Sequence, residues 1–111
     1  MGLVFDKNPA SRCGATQNVA FNASGGASSQ STNFGAQTYQ IRVAVSGTGF
    51  AAAPAFTAGA RVAIGDNPTA SATTTFVPVQ CIDYFAVTPG QKIAVLGNDA
   101  GTGTLSVTEM S

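Results

Sequence analysis

Apolar side chains recur at every second position along most of this chain, and no window repeats them every three to four residues. The clearest run is 37–46, where apolar residues alternate with polar ones: Tyr39, Ile41, Val43 and Val45. Successive side chains of a strand point to opposite faces, so this period indicates strands with one buried face. Similar runs occupy 16–22, 61–65, 73–81 and 104–110, and 82–87 continues extended. Residues 92–96 are nearly all apolar, as is typical of a central strand. The pattern predicts an all-β chain.

Turn-forming residues separate these runs at intervals of about 8–12 residues, as in sandwiches and barrels. Residues 88–91 read Thr-Pro-Gly-Gln, which fits a type II turn with Pro second and Gly third. Pro78 cannot donate a ladder hydrogen bond, so the run 73–81 is predicted at a sheet edge, with Cys81 on its inward face. Seven or eight short strands predict a single small antiparallel β-sandwich or jelly roll.

The domain organisation follows from where the alternation begins. Residues 1–14 lack it and are predicted as an extended N-terminal arm or a loose first strand, and 15–111 as the sandwich domain. The segment 24–33 has neither charges nor aromatic residues, and is expected to be a mobile surface loop or an ordered contact loop. Tyr39 and Tyr84 fall within strand patterns, so both are predicted as core residues with the hydroxyl at the rim.

Charged residues make up only 9% of the chain, against roughly 25% in an ordinary soluble domain. A neutral surface costs little to desolvate, so this composition favours permanent packing against other proteins. The five basic residues are scattered, whereas phosphate binding needs them clustered, so no nucleic-acid partner is expected. No apolar run approaches the 18 or so residues of a membrane span. The N-terminus also lacks a secretory signal pattern, so synthesis and retention in the cytosol are expected.

Residue types that carry catalysis or bind metals are almost missing. The chain has no His, which excludes His-based triads and the usual zinc sites. Asp83 and Asp99 are the least implausible pair of catalytic carboxylates, but they are better interpreted as a solvated strand residue and a turn residue. Residues 47–52 match the dinucleotide pattern G-x-G-x-x-A, yet Pro54 would interrupt the helix that this motif needs. The prediction is therefore no enzyme, with no catalytic, cofactor-binding or metal-binding residues.

The two cysteines, Cys13 and Cys81, leave two possibilities open. Their separation in sequence would allow a disulfide. In a reducing cytosol, two small buried side chains with free thiols are the favoured interpretation.

The last third of the chain carries a resemblance to a known group of proteins. The segments 84–96, Tyr-Phe-Ala-Val-Thr-Pro-Gly-Gln-Lys-Ile-Ala-Val-Leu, and 103–109, Gly-Thr-Leu-Ser-Val-Thr-Glu, carry it. Over roughly residues 80–110 the chain resembles small capsid decoration (cement) proteins and minor head proteins of tailed phages. The resemblance implies a small β domain added to the outside of an assembled capsid. It also implies the major capsid protein as partner, a homotrimer, and a virion location after assembly in the host cytoplasm.

These observations together predict a capsid decoration protein that clamps neighbouring capsid subunits. The expected partner contacts are the arm residues and two outward-facing arginines: Leu3, Val4, Phe5, Asp6, Lys7, Arg42 and Arg61. The loop 24–33 is a further expected contact region. The alternative is a receptor-binding or glycan-binding β-sandwich module of a phage tail fibre or an adhesin.

Overall fold

The computed structural model describes residues 13–50 and 57–110, which form eight β-strands and contain no helix. The strands are β1 (Cys13–Phe21), β2 (Ser29–Gln30), β3 (Gln40–Thr48), β4 (Gly59–Gly65), β5 (Thr75–Pro78), β6 (Ile82–Ala86), β7 (Lys92–Gly97) and β8 (Thr102–Met110). They confirm the predicted small all-β sandwich. Two residues of the predicted arm lie in β1, and the rest of it lies outside the described residues.

The strands form two four-stranded antiparallel sheets. The order is β1-β8-β3-β6 in the first, called the front sheet, and β2-β7-β4-β5 in the second, the back sheet. β1 pairs with β8, β2 with β7, β3 with β6 and β4 with β5, so the chain folds back on itself as one long double ribbon. Wrapping this ribbon brings β3 beside β8 and β4 beside β7. The result is a jelly roll.

The core lies between the two sheets and comes from the alternating apolar positions. In β3 the inward residues Ile41 and Val43 are fully buried. The other side chains of this core that lose all or nearly all contact with solvent are Val62, Val77, Ile93, Val95, Leu105 and Val107. β3, β4, β7 and β8 each lie between two partner strands, which explains why most of the fully buried residues belong to them. The period-two pattern therefore identified most of the core.

Two predicted local features are confirmed. The Gln91 amide donates to the Thr88 carbonyl oxygen over 3.1 Å, and Gly90 adopts a φ of 86°, as a type II turn requires. Pro78 ends β5, which is an edge strand of the back sheet.

β3 and β8 approach closely where two glycines face each other. Gly47 pairs with Gly103 across the front sheet. A Cβ atom on Gly103 would overlap the Ser46 carbonyl oxygen and lie 2.6 Å from the Gly47 Cα. Gly47 is the first glycine of the dinucleotide-like pattern, and its close contact with β8 explains why a glycine is needed there.

The structure overturns the prediction that both tyrosines are core residues. Tyr39 is 64% exposed and Tyr84 is 55% exposed. Tyr39 precedes Gln40, the first residue of β3, so it projects beyond the end of the core. Tyr84 lies opposite Arg42 and belongs to the outward set of β6.

The favoured interpretation of two buried cysteines is also wrong. Cys13 and Cys81 are both exposed, and neither forms a disulfide. Cys13 is the first residue of an edge strand. Cys81 follows Gln80, whose left-handed φ of 64° interrupts the extended backbone. The strand predicted over 73–81 therefore ends at Pro78, and Cys81 never reaches the inward face.

Candidate interaction surface

The outer face of the front sheet is nearly free of charge. Pairing register places on one face the residues that alternate with the buried ones. They are Thr16, Asn18 and Ala20 on β1; Thr102, Thr104, Ser106, Thr108 and Met110 on β8; Gln40, Arg42, Ala44, Ser46 and Thr48 on β3; and Ile82, Tyr84 and Ala86 on β6. Arg42 is the one charged residue in this set. Hydroxyl groups and short side chains dominate the rest.

Arg42 lies in the middle of this face, between Thr108 on β8 and Tyr84 on β6. It is half-buried, and it lies on the outward side of β3 as predicted. Its side chain makes no hydrogen bond or ion pair within the part of the chain that the structure describes. A carboxylate on a partner would therefore meet an uncommitted guanidinium.

Arg61, on the outer side of the back sheet, has its bonding capacity taken up within the chain. Its Nε donates to Asn98 Oδ1 over 2.8 Å, and a terminal nitrogen donates to the Thr74 carbonyl oxygen over 3.0 Å. The guanidinium also lies 5.1 Å from the Phe76 ring centroid. Contact with a partner remains a prediction for Arg61, but these bonds give it a structural role in joining two loops to β4.

The loop between β4 and β5 folds over the outer side of the back sheet. Gln30 Nε2 donates to the Pro68 carbonyl oxygen over 2.7 Å, and the Ala70 amide donates to Ser28 Oγ over 3.0 Å. Pro68 and Ala70 are buried, and Ala94 is fully buried although it points outward opposite Gln30. The chain thus covers part of its own back sheet, whereas no loop among residues 13–50 and 57–110 is hydrogen-bonded across the outer face of the front sheet.

The segment 24–33, left open as a mobile or an ordered loop, is tied to the back sheet. It contains β2, which pairs with β7. Ser31 is 6% exposed, and its Oγ accepts a hydrogen bond from the Ile93 amide over 3.0 Å. No sequence pattern predicts that a buried serine hydroxyl accepts a hydrogen bond from a strand amide in this way.

The exposed large apolar side chains of the front sheet belong to β6. Ile82 is 50% exposed, and Tyr84 is 55% exposed. The sequence indicated a continuing extended run here but not which face β6 would bury. Neighbouring residues of a strand should point to opposite faces, but Cys81 and Ile82 are both exposed. The alternation of buried and exposed residues is therefore interrupted where β6 begins. Asp83 pointed to the wrong face, because a charged residue is expected to face solvent, whereas its register places it on the inward side, opposite Val43.

A small cleft of about 170 Å³ lies at one end of the front sheet, between the start of β1 and the turn before β3. Glu109 lines it, and its Oε1 accepts hydrogen bonds from the Gly35 amide over 2.8 Å and from Thr38 Oγ1 over 2.6 Å. The carboxylate therefore fixes this turn, and no second acid or base lines the described wall of the cleft.

Among the other described acids, Asp99 has a structural role. Asp99 closes the turn between β7 and β8, where Oδ1 accepts from the Gly101 amide and Oδ2 from Thr57 Oγ1, each over 2.9 Å. Among residues 13–50 and 57–110, no three His, Cys, Asp or Glu residues come together as metal ligands. The same residues include no helix that could cross a membrane.

The predicted contact residues are thus divided among three places. Arg42 lies on the open face, Arg61 lies on the back sheet, and the five arm residues Leu3, Val4, Phe5, Asp6 and Lys7 lie outside the described residues. Comparison of the chain with protein-family models, with curated proteins and with solved structures finds no match.

Proposed function

We propose that this protein is a tailed-phage capsid decoration protein, without catalytic activity, that packs the outer face of its front sheet against the major capsid protein. The observation that carries the proposal is that face, which is rich in hydroxyl groups and, among the described residues, charged only at Arg42. Covering such a surface removes one ion from water, so desolvation opposes the contact little. A carboxylate on the capsid protein would pair with Arg42.

Two further points support the same proposal. The segment 80–110, which resembles decoration proteins, supplies β6, β7 and β8, and two of these strands belong to the front sheet. The jelly roll also recurs in viral capsid proteins, although fold analogy alone does not establish a function. A homotrimer on the capsid exterior is the form that the resemblance implies, and it is part of the proposal.

Heating of phage particles tests the clamping role. Particles assembled without this protein should release their DNA at a lower temperature than complete particles. Equal release temperatures would contradict the proposal.

Two matched variants test which surface binds. Ser46→Lys adds a charge to the outer face of the front sheet, and Thr69→Lys adds one to an exposed position in the β4–β5 loop. Burying an unpaired lysine is costly, so Ser46→Lys should bind capsids at least about tenfold more weakly, while Thr69→Lys should bind like the natural protein. Equal binding by both variants would exclude this face as the contact.

The exposed tyrosines favour a second candidate, the glycan-binding or receptor-binding module. Tyr84 offers an aromatic ring on the outer face opposite Arg42, and Tyr39 is more exposed still. Sugar rings stack on such side chains. A glycan array distinguishes the two functions, because this candidate predicts binding that is lost in Tyr84→Ala. An array without signal would contradict it.

A further inference from the structure

Three of the four sheet edges carry a backbone feature that hinders the addition of another strand. β5 ends in Pro78, β2 has two residues, and β1 carries a bulge between Cys13 and Thr16. Proline, short strands and bulges are devices by which proteins block their edges. β6, the fourth edge strand, has five residues in regular register with β3 and none of these features.

The backbone of β6 is suited to accept another strand. The Val87 amide donates to the Tyr39 carbonyl oxygen over 2.9 Å, so this pair is a hydrogen-bonded one. Such pairs alternate along an antiparallel ladder, so Asp83 and Phe85 also bond to β3. The amides and carbonyls of the remaining residues of β6 therefore point to the free edge, and these residues are Ile82, Tyr84 and Ala86.

The side chain of Asp83 makes β6 a poor template all the same. Asp83 lies opposite Val43, a fully buried residue of β3, and so belongs to the inward side of the sheet. It is half-buried, and no strand of the described residues pairs with the other side of β6. Its carboxylate makes no hydrogen bond or ion pair within the described part of the chain. An inward-pointing charge of this kind is a further way in which proteins block an edge.

A second copy of β6 is the strand that this edge would otherwise meet, because every copy presents the same edge and a two-fold axis closes such a pair. Residues 82–86 contain no cation, so no register of β6 against itself neutralises the acid. In the pairing centred on Tyr84, Asp83 lies opposite Phe85 of the other copy. In the pairing centred on Asp83, two carboxylates lie opposite each other, and like charges in that position destabilise a sheet.

The balance between these contributions depends on the charge. Covering a carboxylate without giving it a partner is strongly destabilising. Each backbone hydrogen bond gained at the edge adds little, because it replaces hydrogen bonds to water. The exposed Ile82 and Tyr84 would gain apolar contacts across the same junction. Without the charge, the remaining contributions favour pairing.

We propose that the charge of Asp83 prevents β6 from pairing with β6 of a second copy, and that this edge is a latent interface between copies. Contacts of the natural protein are then made by side chains on the sheet faces and not by strand addition at β6. The inference concerns copies of the chain in solution, so it stands whether or not the proposed function is correct.

Sedimentation of full-chain variants tests whether the charge is responsible. Asp83→Val and Asp83→Thr remove it with residues that suit a strand, whereas Asp83→Lys keeps a charge of the opposite sign. The two neutral variants should associate at least about tenfold more tightly than the natural chain. They should form a species of twice its mass, because the other three edges stay blocked. Asp83→Lys should sediment like the natural chain.

Asp66→Val is the matched control. Asp66 is exposed in the turn after β4, and its replacement changes the net charge by the same amount as Asp83→Val. Asp66→Val should therefore sediment like the natural chain.

Hydrogen exchange and a second substitution locate the association. In Asp83→Val the edge-facing amides of Ile82, Tyr84 and Ala86 should exchange more slowly than in the natural chain. Adding Tyr84→Pro removes a donor that the ladder with β3 does not use, and should return the mass to that of the natural chain. Neutral variants of natural mass would overturn the inference. So would equal association by Asp83→Lys or Asp66→Val, or association that survives Tyr84→Pro.

Discussion

Replacing Gly103 with alanine tests the close approach of the two central strands of the front sheet. The new Cβ would meet the Ser46 carbonyl oxygen and the Gly47 Cα, both of them backbone atoms. No rotamer change relieves such a clash, so β3 and β8 must separate locally. Overpacking costs typically 1–3 kcal/mol, and we expect about 3 kcal/mol because backbone has to move. This corresponds to a melting temperature lower by roughly 12–24 °C.

Gly65→Ala is the matched control. Gly65 ends β4, and a Cβ atom placed there meets no atom within 4 Å. Its free energy of unfolding should stay within about 0.5 kcal/mol of the natural protein, or rise slightly because alanine restricts the unfolded chain. Urea unfolding followed by circular dichroism measures both variants. A Gly103→Ala variant as stable as Gly65→Ala would refute the reasoning about the β3–β8 contact.

Three further predictions concern single side chains. Ser31→Ala should lower the free energy of unfolding by about 1–3 kcal/mol, because the buried Ile93 amide loses its acceptor; no change in urea unfolding would contradict that bond. Arg61→Lys should cost about 1–2 kcal/mol, since an ammonium cannot reproduce the two hydrogen bonds and the aromatic contact; the same assay measures it, and an unchanged midpoint would argue against the geometry. Cys13 and Cys81 should both react with a thiol reagent in the folded protein, and a thiol that reacts only after unfolding would contradict its exposure.

The sequence was sufficient for the fold class and for most of the core. Alternation in β3 and β8 identified Ile41, Val43, Leu105 and Val107 as inward residues, because one buried face per strand leaves a direct record in the pattern. The Pro-Gly pair located the turn at Gly90, because few residue types other than glycine adopt its positive φ.

The surface could not be predicted to the same extent. The exposure of Tyr84 and Cys81 depends on where β5 ends and β6 begins. Between these strands Gln80 adopts a left-handed conformation, which is uncommon for glutamine, so the sequence does not predict the break in alternation. The roles of Arg61 and Ser31 depend on partners 13 to 62 residues away in sequence. Such pairs follow from the jelly-roll wrapping, which local patterns do not specify.

The central claim is the proposal that the outer face of the front sheet binds the major capsid protein. Binding of Ser46→Lys and Thr69→Lys to capsids that lack this protein tests it most directly. We predict that Ser46→Lys binds at least about tenfold more weakly than the natural protein and that Thr69→Lys binds like it. Equal binding by both variants would contradict the account.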